Sequence, residues 1–210
     1  MSVKPRAFQG QYPPRWHSII NSPVGHLYVA ASDNALTGIW YEEQAHFPLP
    51  HELGERIADP AGLVAEADEV AQAIGADAER RGEHIYVAPA RILAQTEREL
   101  DEYFRGRRTD FEVPLDPDGT DFQLAVWDYL KTVPYGYTVT YGEISRMVGP
   151  GAPAQAVGQA VGHNKIAIII PCHRVLGAGG KLTGYAGGLD RKRWLLDREE
   201  PKDIRSGRLF

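Results

Sequence analysis

Three short apolar-rich stretches lie near the start of the chain: Trp16–Asn21, Leu27–Ala31 and Leu36–Tyr41. Their length, with turn residues at Ser22-Pro23-Val24-Gly25 and Asp33-Asn34 between them, predicts three strands in a small antiparallel meander. Residues 44–60 mix prolines, a glycine and charge, and read as a surface loop. Residues 61–82 are rich in Ala and Glu and predict a helix that Gly75 weakens. His84–Val87 reads as a short edge strand. Pro89 then suits a first helical turn, with Leu93, Glu97, Leu100 and Phe104 at helical spacing and Gly106 near the end. Phe111–Leu115 reads as extended, and Asp116-Pro117-Asp118-Gly119 as a turn.

The second half is more regular. Thr120 with Gln123, and Thr140 with Glu143, have the spacing of capping boxes that start helices. Phe122, Val126, Tyr129 and Leu130 give the first of these an apolar face, and Val133-Pro134-Tyr135-Gly136 ends it. Gly149-Pro150-Gly151-Ala152 breaks the second, and Pro153 at a first helical position begins a third that runs to about His163. The strongly apolar Ile166–Ile170 follows as a strand-like run. The fold class expected is α+β: an N-terminal subdomain over 1–110, a linker over 111–119, and a mostly helical subdomain over 120–210. Two short helices at 140–148 and 153–163 across a tight turn have the layout of a helix-turn-helix, whose second helix can enter a DNA groove. Ala154, Ala156, Gly158, Ala160 and Gly162 leave that second helix almost bare. A bare face allows close approach of a large partner or tight packing on another helix.

Composition narrows the picture. The chain has 210 residues and no apolar run longer than five, too short to cross a bilayer, and its first residues lack the apolar stretch of a signal peptide. Its single cysteine excludes an internal disulfide and a multi-cysteine zinc site, and a reducing, cytoplasmic setting is expected. The histidines at 17, 26, 46, 51, 84 and 163 show no ligand spacing. The net charge of −5 argues against a nucleic-acid partner, but residues 138–210 hold 11 Lys and Arg against 6 Asp and Glu, a net +5. A basic half suits a polyanion, although solvated faces also differ in charge.

The lone cysteine sits in Pro171-Cys172-His173-Arg174-Val175. Most single cysteines are inert packing residues. Cationic neighbours favour the thiolate, which is the reactive form. His173 is a possible base, and Glu199 or Asn164 could orient its ring. Taken singly, Tyr141 reads equally as a packed aromatic, Asn164 as a helix C-cap and Glu199 as a solvated helix residue.

Pro171-Cys172-His173-Arg174-Val175 resembles the active-site motif of the O6-alkylguanine-DNA alkyltransferases, the methylated-DNA–protein-cysteine methyltransferases. Thr183-Gly184-Tyr185-Ala186-Gly187-Gly188-Leu189, and Arg193-Trp194-Leu195-Leu196 with Glu199, resemble the family's pocket loop and closing helix. Tyr141-Gly142-Glu143-Ile144, Ala156-Val157-Gly158 and Asn164 resemble its helix-turn-helix and hinge. The correspondence covers residues 120–199, and the N-terminal half resembles the family's ribonuclease-H-like half more loosely.

The resemblance implies direct-reversal DNA repair. An O6-alkylguanine, with O4-alkylthymine a further candidate, would be flipped out of double-stranded DNA bound through its minor groove, and its alkyl group would move irreversibly to Cys172. His173 would take the thiol proton, Glu199 would hold His173, and Asn164 would tie the helix-turn-helix to the active site. Tyr141 would crowd the target's 3′ phosphate and donate to the leaving base. Tyr185 would line the base pocket, backbone at Val175 and Ala186 would read the guanine edge, and Ala156 and Gly158 would face the groove. Arg174 is expected to be structural or to touch phosphate. No cofactor and no metal are implied, and a monomer is expected, with cooperative binding along DNA left open. The chain departs from the family at Gln155, where an intercalating arginine is usual, and at Ala186, where some members have serine.

Three other readings compete. A non-repairing alkyltransferase-like recogniser would lack the acceptor cysteine. A Cys-His-Glu hydrolase would not explain the helix-turn-helix. A thiol-sensing regulator would carry further cysteines and a further DNA-binding domain.

Overall fold

A computed structural model describes residues 15–74, 86–149 and 151–200. The expected meander forms as β1 (Trp16–Ser22), β2 (Gly25–Ala31) and β3 (Leu36–Tyr41). β1 and β2 pair antiparallel in unbroken register from Trp16 opposite Ala31 to Ser22 opposite Gly25. Ser22 closes the hairpin: its hydroxyl donates to the Gly25 carbonyl at 2.6 Å and accepts from the Val24 amide at 3.3 Å. β3 joins the other side of β2.

The expected surface loop is more structured than its composition suggests. It holds a short helix, α1 (Pro50–Leu53), and a two-residue strand, β4 (Glu55–Arg56), that runs parallel to β1. The sheet is therefore four-stranded, in the order β3-β2-β1-β4, rather than three-stranded. Two residues are too few to show a period of two, but they satisfy the open edge of β1, where the Ile57 amide donates to the His17 carbonyl at 2.8 Å.

Helix α2 (Pro60–Ile74) packs on α3 (Val87–Phe104), and α3 lies across β1 and β2 with Leu93, Leu100 and Tyr103 buried. The short strand expected at 84–87 does not appear in its described part, since Tyr86 is in a turn and Val87 begins α3. Gly106 ends the α3 region in the left-handed region at φ 71°. The extended stretch expected at 111–115 runs beside β3, with the Leu36 amide donating to the Pro114 carbonyl at 2.8 Å. Residues 1–14, 75–85, 150 and 201–210 lie outside the described residues, and with them the far end of the helix expected to residue 82.

Both capping boxes form. Thr120 starts α4 (Asp121–Lys131) and Thr140 starts α5 (Tyr141–Val148). The third helix is α6 (Ala154–Gly162), with Pro153 at its N-cap. These three helices pack on one another, and the Trp127 indole donates to the Ala160 carbonyl at 2.8 Å. A two-stranded parallel pair, β5 (Val139–Thr140) with β6 (Val175–Leu176), and helix α7 (Leu189–Glu199) complete the second half.

The apolar run Ile166–Ile170 is not a strand. It folds as consecutive turns, with Ile168 in the left-handed region at φ 71° and Ile166 alone bridging to Ile39. All five side chains are buried, so continuous apolarity here reports enclosure rather than pleating, which periodicity alone cannot tell apart. A β-branched residue at positive φ costs about 1–3 kcal/mol, held in place by the surrounding core. That core is continuous between the halves, joining Ile39, Leu100 and Tyr103 to Val126, Ile144, Ile170 and Leu195.

Candidate active site

Cys172 opens a single 3-10 turn, Cys172–Arg174, directly after the turns of 166–170. Its sulfur accepts a hydrogen bond from the Asn164 amide nitrogen at 3.0 Å. The same nitrogen donates to the Ile170 carbonyl at 2.8 Å, and Asn164 Oδ1 accepts from the Ile166 amide at 3.0 Å. One buried side chain, just past the end of α6, thus ties together the turns of 166–170 and the Cys172 sulfur.

His173 is fully buried, with Nε2 at 2.8 Å from Glu199 Oε1. Glu199 accepts four further hydrogen bonds: from Arg174 Nε at 2.7 Å and Nη2 at 2.9 Å, from the Tyr103 hydroxyl at 2.8 Å and from the Gly136 amide at 3.4 Å. Burial opposes its ionisation, but His173 and Arg174 outweigh burial and hold the carboxyl well below the usual carboxylate range. Burial also lowers the His173 pKa, against the pull of Glu199, which favours the neutral imidazole. Facing a carboxylate, Nε2 carries the proton. Nδ1 then presents a lone pair and has no hydrogen-bond partner among the described residues.

Arg174 does not sit where a DNA contact would need it. It is 6% exposed, and its guanidinium is committed to both oxygens of Glu199 and to the Val133 carbonyl. A fork that matches a carboxylate in two places is used as a clamp. Val175 is fully buried; its amide donates to the Cys172 carbonyl and its carbonyl accepts from Lys192.

Lys192 belongs to this cluster, although the sequence reading did not single it out. It is fully buried, and Nζ donates to the carbonyls of Val175 at 2.5 Å, Thr183 at 2.7 Å and Gly184 at 3.3 Å. Burial pushes its pKa down to about 8, against the pull of Cys172. Its charge favours the Cys172 thiolate, together with the Asn164 amide and the Tyr185 hydroxyl, but burial outweighs them and pushes the thiol up. Cationic neighbours favour the thiolate, as expected, but the cation that acts on the sulfur is Lys192, and burial works against ionisation. A signal was available, because Lys192, Leu195 and Glu199 fall on one helical face, the buried face of α7.

Tyr185, whose hydroxyl acts on the thiol, also walls a cavity of about 250 Å³, together with Tyr141 of α5, Gly158 and Val161 of α6, and Gly184 and Ala186 of the loop before α7. The Tyr185 hydroxyl is 2.8 Å from that of Tyr41, a fully enclosed residue of β3. Gly187 allows this, since a β-carbon there would come within 2.4 Å of the Tyr41 ring. Gln155 is apart from this cluster, exposed on α6, and Ala156 is half-buried beside it. The bare stretch of α6 is divided: Ala160 is buried in the core, whereas Ala154 is exposed and a β-carbon on Gly162 would meet nothing within 4 Å.

A protected cysteine with a His–Glu pair, set behind a helix-turn-helix with one open face, defines a protein that brings thiol chemistry to a nucleic acid. The family model described as 6-O-methylguanine DNA methyltransferase, DNA binding domain, matches residues 121–201, and the model of that family's ribonuclease-like domain matches residues 63–117. The chain belongs to the 6-O-methylguanine DNA methyltransferase family. It is 40% identical over 183 residues to the methylated-DNA–protein-cysteine methyltransferase of Mycobacterium tuberculosis H37Rv, covering 87% of this chain and 91% of that one. It is 51% identical over 114 residues to the protein of the same name from Methanosarcina acetivorans, covering 54% and 73%. The crystal structure of Mycobacterium tuberculosis OGT in complex with DNA superposes with a TM-score of 0.67 at 40% identity, over 90% of this chain and 97% of that one. The division into a ribonuclease-like N-terminal half and a helical DNA-binding half is shared with these relatives. Among the described residues no helix is long and apolar enough to cross a membrane.

Proposed function

We propose that this protein repairs O6-alkylguanine in double-stranded DNA by a single, irreversible transfer of the alkyl group to Cys172. The observation that carries the reading is the buried chain of contacts from the Asn164 amide to the Cys172 sulfur, beside a His173–Glu199 pair whose free nitrogen is Nδ1. The damaged guanine must leave the stack, because its O6 atom is out of reach inside a duplex. His173 Nδ1 takes the Cys172 proton, directly or across one water, and Glu199 stabilises the imidazolium. The sulfur attacks the alkyl carbon, a C–S bond forms and the C–O6 bond breaks. The guanine leaves with the electron pair and is protonated from the Tyr141 hydroxyl. The thioether product does not hydrolyse, so each molecule acts once, as an intracellular monomer. The double helix meets the open face of α6 through its minor groove, and binding weakens with salt as phosphate neutralisation requires.

Gln155 fills the space left by the flipped base. Gln155→Arg should speed transfer from duplex DNA while leaving transfer from free O6-benzylguanine unchanged. An equal response on both substrates would remove Gln155 from the flipping step.

The test is peptide mass spectrometry after mixing with a duplex that carries one O6-methylguanine. The expected result is one CH₂ on the peptide containing Cys172, never more than one per molecule, and none in Cys172→Ser. Binding without any mass gain would instead favour a damage recogniser.

A further inference from the structure

We infer that His46, in the loop after β3, is a specificity-determining residue of the alkyl-acceptor pocket, setting how large an O6 substituent the protein accepts. The inference rests on the function proposed above and concerns the one wall of the pocket that comes from the N-terminal half. The cavity beside Tyr185, the residue that joins it to the Cys172 thiol, is bounded by Ala45 and His46 as well as by α5, α6 and the 184–186 loop. Apart from Tyr141, Val161 and Tyr185, the walls from the C-terminal half are low: Gly158, Gly162, Gly184 and Ala186 offer one methyl group between them. Beside the rings of Tyr141 and Tyr185, the imidazole of His46 is the only other large planar group on the rim.

That imidazole is held in place. Its ring stacks on His163 with centroids 4.0 Å apart and planes 24° from parallel. His163 caps the C-terminal end of α6, with Nδ1 at 2.8 Å from the Gln159 carbonyl. The preceding residue is latched to the pocket loop, the Ala45 amide donating to the Ala186 carbonyl at 3.1 Å. Behind it, Gln44 is buried, its side-chain oxygen accepting from the Tyr41 amide at 2.9 Å and its own amide donating to the Tyr41 carbonyl at 3.2 Å. Both Glu43 and His46 adopt positive φ, 62° and 61°, conformations that persist only where the surroundings fix them. A loop tied at both ends, with two residues in uncommon conformations, places His46 on the rim of a pocket whose other walls, apart from Tyr141, Val161 and Tyr185, carry only small residues.

A single methyl group on O6 is small enough to bypass this ring, whereas an arylmethyl group must pass it. The wall therefore acts on the ratio of the two reactions, not on the chemistry at sulfur, which is common to both. The experiment measures second-order transfer to Cys172 from two otherwise identical duplexes, one with O6-methylguanine and one with O6-benzylguanine, on the full chain. His46→Ala should raise the benzyl-to-methyl rate ratio at least threefold. His163→Ala, which removes the ring that His46 rests on from a different element, should raise it in the same direction. His46→Phe keeps a stacked ring and should leave the ratio within twofold of the parent. If His46→Ala and His163→Ala both leave the ratio unmoved while methyl transfer persists, His46 is not a wall of the pocket. If the parent protein transfers neither group, it is the underlying function that fails. A loss of stability would slow both reactions together and leave their ratio alone, so misfolding cannot imitate the expected result.

Discussion

Two buried glutamates divide the molecule. Glu99 on α3 and Glu199 on α7 are both at most 3% exposed, and both are surrounded by donors. Glu99 accepts from the backbone amides of Glu112 at 2.9 Å and Val113 at 3.3 Å and from the Gln95 side chain at 2.8 Å, with Arg108 at 4.0 Å. These donors pin the segment that crosses from one half to the other. Glu199 accepts instead from groups that touch the nucleophile's neighbourhood, chiefly His173 and Arg174. Burial and hydrogen bonding are alike in the two cages. What separates a clamp from a working carboxylate is whether one of its donors can gain and lose a proton beside the reacting atom.

The largest expected effect is at Glu199. Glu199→Gln leaves Arg174 buried without a counter-charge and should cost about 3–5 kcal/mol in urea unfolding. The same change removes the group that steadies the His173 imidazolium, and transfer should slow by about 100-fold, the scale of a lost general-base contribution. Glu99→Gln should cost less, about 1–3 kcal/mol, for misplaced donors in a buried site. Its transfer rate should match the parent's, and a rate loss comparable to that of Glu199→Gln would erase the distinction. Tyr103→Phe removes one donor from Glu199 and keeps the ring, with an expected cost of about 1.5 kcal/mol and a small change in rate.

The pH dependence sharpens the same contrast. Glu199 has a folded pKa below its ordinary value of 4.5, so its contribution to stability is full above that value and is lost as pH falls below it. The parent should therefore lose stability on acidification below about pH 4.5 more steeply than Glu199→Gln. Reactivity also rises with pH, but in the alkaline range. The Cys172 thiol is pushed up by burial, so alkylation of the free protein by iodoacetamide should accelerate as pH rises. The acceleration should flatten above about pH 8, where Lys192 loses the charge that favours the thiolate. A rate already maximal at pH 6 would mean that the thiolate is the resting form.

The sequence was informative where chemistry is local. The capping residues Thr120 and Thr140 mark the starts of α4 and α5 because a cap depends on residues three apart. The motif around Cys172, together with Tyr141, Asn164, Tyr185 and Glu199, was legible through resemblance to a family with the same residues. It was less informative where burial decides. The Ile166–Ile170 run has the composition of a strand and the shape of a turn. Arg174 read as structural or as a phosphate contact, and burial makes it the first, a clamp on Glu199. Cys172 looked activated by charge, and burial reverses that sign at rest.

By itself, then, the sequence determined the strands of the meander, the capped helices, the two helices of the helix-turn-helix layout and the motif that places Cys172 beside His173, because each depends on side chains within a few residues or on a motif. The tertiary structure alone decided the partners that come from far along the chain: Tyr103 on Glu199, Tyr41 on Tyr185, Lys192 beneath the pocket loop and His46 on His163. Such contacts depend on how two halves pack around one core. Packing fixes both the distance between groups and the exclusion of water that sets their charge.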